Sequence, residues 1–136
     1  MVSLIVVSEY KQCGPLPSGR QKIPGGPLYE LQRIKEVCSK EARIRLWTRQ
    51  SVRDTQALGL DISDVAVLIQ ELNEHDYVDS EWCQGGKAWA ACDAYRLARR
   101  EWHEGLTRPL FVEYFLKFAI GKSGQLLLVV SCHLSR

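Results

Sequence analysis

The chain has 136 residues, 46% of them hydrophobic, with a formal net charge of +2 and five cysteines. That length is one domain's worth and can bury a core of its own. No apolar run approaches the roughly 20 residues of a membrane-spanning helix, and residues 1–7 lack the basic start and the length of a secretory signal, so a soluble cytoplasmic protein is expected.

Residues 1–27 read as an irregular arm, because Gly14-Pro-Leu-Pro-Ser-Gly19 and Pro24-Gly-Gly-Pro27 cannot hold a helix and rarely hold a central strand. The remaining residues, 28–136, read as a single domain. Leu28, Leu31, Ile34 and Val37 recur at helical spacing between charged residues and predict a first amphipathic helix ending near Ser39. Ala42, Ile44 and Leu46 alternate with Arg43, Arg45 and Trp47, as in a half-buried strand with a basic outer face. A short helix over 50–58 is closed by Gly59. Asp61 or Ser63 caps another, whose Val65, Leu68, Ile69 and Leu72 face inward. Residues 76–82 and 89–97, joined through Gly85-Gly86, form a hairpin, and Arg96 to Gly105 reads as a long basic connection into the last strands.

The closing runs, Phe111–Ile120 and Leu126–Leu134, flank Gly121-Lys-Ser-Gly124 and predict a second hairpin. The favoured register opposes Leu116, Phe118 and Ile120 to Cys132, Val130 and Leu128 on a wholly apolar face. It sets Lys117 across from Ser131 and Phe115 across from His133 on an accessible one; a slip of one residue would put Lys117 among buried valines. Helices come first and an antiparallel sheet last, which is an α+β arrangement with helices on one face of the sheet. A histidine beside a lysine and an aromatic ring suits a phosphodiester, since imidazole moves protons near neutral pH and ammonium holds anionic oxygen. An ordinary surface histidine at a strand end is the alternative.

Charge is segregated along the chain. Residues 1–53 carry ten Lys/Arg against four Asp/Glu, residues 54–86 none against eight, and residues 87–136 eight against four. If Arg43, Arg45, Arg96, Arg99, Arg100 and Lys117 share one side, that side attracts a polyanion. Cys13, Cys38, Cys83, Cys92 and Cys132 never form a Cys-x-x-Cys pair, so neither a disulfide framework nor a zinc ribbon is expected. His75 among Glu74, Asp76 and Asp79, and His103 with Cys83 and Cys92, are weak metal candidates whose spacing fits no standard ligand pattern.

Ala57-Leu-Gly-Leu-Asp61, Ile69-Gln-Glu-Leu72, Asp76-Tyr77, Asp93-Ala-Tyr-Arg96, Phe115-Leu-Lys117 and Leu128-Val-Val-Ser131 occur in an order and at a spacing that resemble the MqsR family of toxin–antitoxin ribonucleases. The resemblance covers residue 28 onward. It implies a RelE-like fold and metal-independent cleavage of single-stranded mRNA with no cofactor. It also implies inhibition by a cognate antitoxin, usually a helix-turn-helix DNA-binding repressor. His133 falls where the family has a basic residue after its last strand's Val-Ser-aromatic run. Three family positions depart: a tyrosine falls on Phe115, a glutamine on Cys92 and a lysine on Asp79.

Cleavage through the 2′-hydroxyl needs a base, cationic donors on the phosphate and an acid for the leaving oxygen. His133 is assigned the acid or base role, with Lys117, Arg96 and Lys87 as the cations. Phe115, Arg99, Arg100 and Ser131 are assigned to RNA binding. A catalytically eroded RNA- or antitoxin-binding module of the same fold is the alternative, and a purely structural interaction protein is a third.

Overall fold

The computed structural model describes residues 4–12, 14, 15 and 21–135. Cys13, Pro17 and Gly19 of the arm lie outside the described residues. The chain runs β1 (Ile5–Val6), β2 (Gln21–Lys22), α1 (Leu31–Cys38), a 3-10 turn, β3 (Ile44–Leu46), α2 (Arg49–Leu58), α3 (Ile62–Gln70) and a second 3-10 turn. It ends with β4 (Tyr77–Gly85), β5 (Ala88–Glu101), β6 (Leu110–Ile120) and β7 (Leu127–Leu134). The strands form one sheet in the order β2-β4-β5-β6-β7-β3, and β1 pairs in parallel with the start of β5. This is the expected α+β arrangement.

Local chemistry accounts for the helices. Thr48 caps α2 by accepting from the Ser51 amide, and Gly59 ends it with a φ of 68°, a left-handed conformation that glycine adopts without a Cβ penalty. Asp61 caps α3 in a reciprocal pair with Asp64. The buried Ile34, Val37, Val65, Leu68, Ile69 and Leu72 then meet Tyr95, Leu116, Phe118, Val129 and Cys132 from one face of the sheet in a single core.

The N-terminal segment is more than an irregular arm. β2 extends the sheet beyond β4, with Lys22 opposite Glu81. Val6, Tyr10, Ile23 and Leu28 pack over Trp82, Trp89 and Ala91, forming a second, smaller apolar cluster that the three helices do not reach. Asp93 ties this region to the sheet. Its buried carboxylate accepts from the Leu28 and Tyr29 amides at 3.0 and 3.1 Å and from the Ser80 hydroxyl at 2.6 Å.

Two expectations about the strands need correction. Arg96 to Glu101 is not a connection: β5 continues through it, pairing Arg96 with Phe115 and Glu101 with Leu110. Leu97 turns into the core while Arg96, Ala98 and Arg100 stay outward, which is the alternation of a half-buried strand. In the closing hairpin the pairs Phe115–His133, Leu116–Cys132 and Lys117–Ser131 hold, but a shift follows Lys117, so that Phe118 faces Val129 and Ile120 faces Leu127. Val130 is the extra residue of this bulge. Its carbonyl accepts from the Thr48 hydroxyl at 2.7 Å, so the N-terminus of α2 captures a group the ladder would leave unpaired.

Candidate functional site

The sheet face away from the helices carries the polar residues of the long strands. Strand register aligns Arg96 on β5, Phe115 on β6 and His133 on β7 in one row. The next row holds Ala94, Lys117 and Ser131. Phe115 and His133 stack with ring centroids 5.2 Å apart and planes 22° from parallel. The Lys117 ammonium lies 5.6 Å from the centroid of the same phenyl ring. A carbonyl oxygen can only accept, so the 2.9 Å contact between His133 Nδ1 and the Leu134 carbonyl puts the proton on Nδ1. Neutral His133 therefore presents Nε2 as a lone-pair acceptor.

Lys117 lies on the expected face but is largely buried: its side chain is 10% exposed and ion-paired with Glu81, itself 6% exposed. Burial alone would raise the Glu81 carboxyl, but the hydrogen bond and charge of Lys117, then those of Lys22, outweigh it and hold the group below its ordinary 4.5. Lys22 sits 3.3 Å from the second Glu81 oxygen and also bonds Asp79. Asp79, where the resembled family has a lysine, thus faces a lysine supplied by β2.

Two clefts open onto this face and share Gln50, Lys117 and Ser131. One, of about 360 Å³, is lined by Arg96, Phe115, His133 and Ser135. The other, of about 890 Å³, runs between Trp47, Thr48 and Arg49 at the start of α2 and Cys83 to Gly86 of the β4–β5 hairpin. Trp47 closes on that hairpin so tightly that a Cβ on Gly85 would lie 2.8 Å from its ring. Cys83 borders this cleft with Cys92 beside it. The thiol–thiol hydrogen bond lowers Cys83 against the effect of its burial, with a smaller contribution from Lys117, and burial pushes the thiol of Cys92 well up.

The structure separates some residues that were expected together. Arg99 points to the helix side, where it pairs with Glu71, just past the end of α3, at 3.1 Å and with Glu101 at 3.3 Å, because alternation from Arg96 and Arg100 places it on the other face. It lines a different cleft, beside Val67, Trp102 and Tyr114. Lys87 is exposed at the β4–β5 turn and lines neither of the two clefts. Arg100 alternates onto the face of Arg96 with its guanidinium 5.4 Å from the centroid of Phe111, but it borders the same cleft as Arg99 and neither of the two clefts at Lys117. Among the described residues no three or more His, Cys, Asp or Glu side chains gather as a metal site.

Glu81, Lys22 and Gln50 were not singled out from sequence. Glu81 and Lys117 are 36 positions apart, and only the β4-β5-β6 order brings them together. The alternation of Asp79, Glu81 and Cys83 was the one available signal, since it places all three on a single strand face.

Residues 26–105 match a family model described as the motility quorum-sensing regulator, toxin of MqsA. The matched stretch runs from α1 through β5 and stops before β6 and β7, which carry Phe115, Lys117 and His133. No curated protein matches the chain.

Proposed function

This chain belongs to the MqsR toxin family, and from that premise we propose that it is an endoribonuclease that cleaves single-stranded mRNA without a metal ion and is held in check by an antitoxin protein. A helix-turn-helix repressor is the proposed form of that antitoxin. No helix of the described residues is long and apolar enough to cross a membrane, and a substrate of mRNA puts the activity in the cytoplasm.

The supporting observation is the row of Arg96, Phe115 and His133 on the open sheet face. Nε2 of His133 takes the 2′-hydroxyl proton; the 2′-oxygen bonds to phosphorus and the bond to the 5′-oxygen breaks. The imidazolium, or a water, returns a proton to the leaving oxygen. The products are a 2′,3′-cyclic phosphate and a 5′-hydroxyl. Arg96 offers its guanidinium fork to the non-bridging oxygens as charge accumulates. Lys117, its charge already paired with Glu81, reaches the phosphate only through the small part of its side chain that borders the clefts. Phe115 contributes an aromatic surface for a flanking base, and Ser131 adds a hydroxyl across the strands from Lys117.

The departures at Asp79, Cys92 and Phe115, together with the neutralised Lys117, favour the second reading, a binding module with an eroded site. Purified protein and single-stranded RNA incubated in EDTA separate the two. The first reading predicts cleavage that drops about 100-fold or more in His133→Ala, and growth arrest on expression that the same substitution relieves. RNA bound but left intact would overturn it in favour of the second.

A further inference from the structure

Phe111 is 78% exposed, more than any other large hydrophobic side chain among the described residues. A single exposed apolar residue is ordinary, but this one repeats a pattern. Arg96 pairs across the strands with Phe115, and four residues along the same face Arg100 pairs with Phe111, its guanidinium 5.4 Å from the ring centroid. The β5–β6 ladder continues through both pairs out to Glu101 and Leu110, which keeps the two rings on one face of the sheet. At about 3.4 Å per residue the two rings lie roughly 14 Å apart, several times the ~3.4 Å rise between stacked neighbours. They therefore suit non-adjacent bases of an extended strand. Ala98 and Glu113 occupy the position between them; the alanine leaves space, and the exposed carboxylate turns phosphate away.

We propose that Arg100 and Phe111 form a second subsite for an unpaired nucleobase of the same RNA strand whose phosphodiester lies at His133. This rests on the ribonuclease reading and extends it to how the strand is held. Stacking is sequence-tolerant, because every base has a π-face, so the subsite adds affinity and direction more than sequence choice. The two exposed arginines of this face, Arg96 and Arg100, favour a polyanion over an apolar partner segment.

The test compares a dinucleotide with a single strand of about ten nucleotides, long enough to reach both rings. Phe111→Ala should raise KM for the long strand about tenfold more than for the dinucleotide, and Phe111→Trp should restore it. Binding of the long strand to His133→Ala protein, followed by fluorescence anisotropy, should weaken on adding Phe111→Ala and tighten on adding Glu113→Gln. RNA cleavage with the same long-to-short ratio in wild type and Phe111→Ala would overturn this inference and leave the ribonuclease reading standing. So would loss of antitoxin binding in Phe111→Ala with RNA binding unchanged, which would assign the platform to the antitoxin. A wild-type protein that neither binds nor cleaves RNA would overturn both.

Discussion

Removing Glu81 should harm the fold more than removing its partner. The Lys117 side chain is 10% exposed and Glu81 is the only carboxylate paired with it among the described residues, so Glu81→Met leaves a buried, unpaired ammonium. Breaking such a pair from one side costs about 3–5 kcal/mol, and residual solvent contact puts the expectation near the lower end, about 3 kcal/mol. Lys117→Met instead leaves Glu81 with Lys22 at 3.3 Å, an ammonium 56% exposed and able to adjust. That change should cost about 1–2 kcal/mol. In the double variant two methionines fill the space with no charge left buried, and stability should return to within about 1 kcal/mol of wild type. Urea unfolding would read this as midpoint shifts at constant slope, with a coupling of about 3–5 kcal/mol between the sites. Additive losses, or a larger loss from Lys117→Met than from Glu81→Met, would refute the argument.

The same pair sets a pH dependence. The Glu81 carboxyl lies below its ordinary 4.5 in the folded protein, so its contribution is present above that value and is lost as pH falls through the folded-state value. Acid unfolding below about pH 4.5 should therefore be less steep in Glu81→Gln than in wild type, measured by circular dichroism; an identical acid limb would contradict this. Cys83 should be the first alkylated of Cys38, Cys83, Cys92 and Cys132. It alone of these is partly exposed with a lowered thiol, whereas burial pushes Cys38 up to about 11 and Cys132 up to about 12. Peptide mapping after brief iodoacetamide treatment checks the order.

What the sequence disclosed follows the range of the interactions involved. Gly59 and Asp61 act on their own turns of chain, and the ends of α2 and α3 could be read from them. The pairing of Phe115 with His133 was legible because a polar face and an apolar face constrain the register over several residues. Beyond Lys117 that constraint fails: Leu126 to Val130 is apolar throughout, so either parity can be buried, and the bulge at Val130 is selected by the Thr48 hydroxyl from a distant helix. The extension of β5 through Arg99 and Arg100 was masked by its charge, since both arginines find partners only after folding, one at Glu71 past the end of α3 and one over Phe111. Lys22 lies in a segment whose proline and glycine content signals loop, and its place beside Asp79 and Glu81 depends on an edge pairing of just two residues.

In the proposed reaction the open sheet face activates a ribose hydroxyl through His133. An oligoribonucleotide with one 2′-deoxy substitution at the mapped cleavage site tests it most directly, incubated in EDTA beside its all-ribose counterpart. The expected result is a 2′,3′-cyclic phosphate from the all-ribose strand, no cut at the substituted position, and little cut of either by His133→Ala. Cleavage at the deoxy position, or full activity without the imidazole, would contradict it.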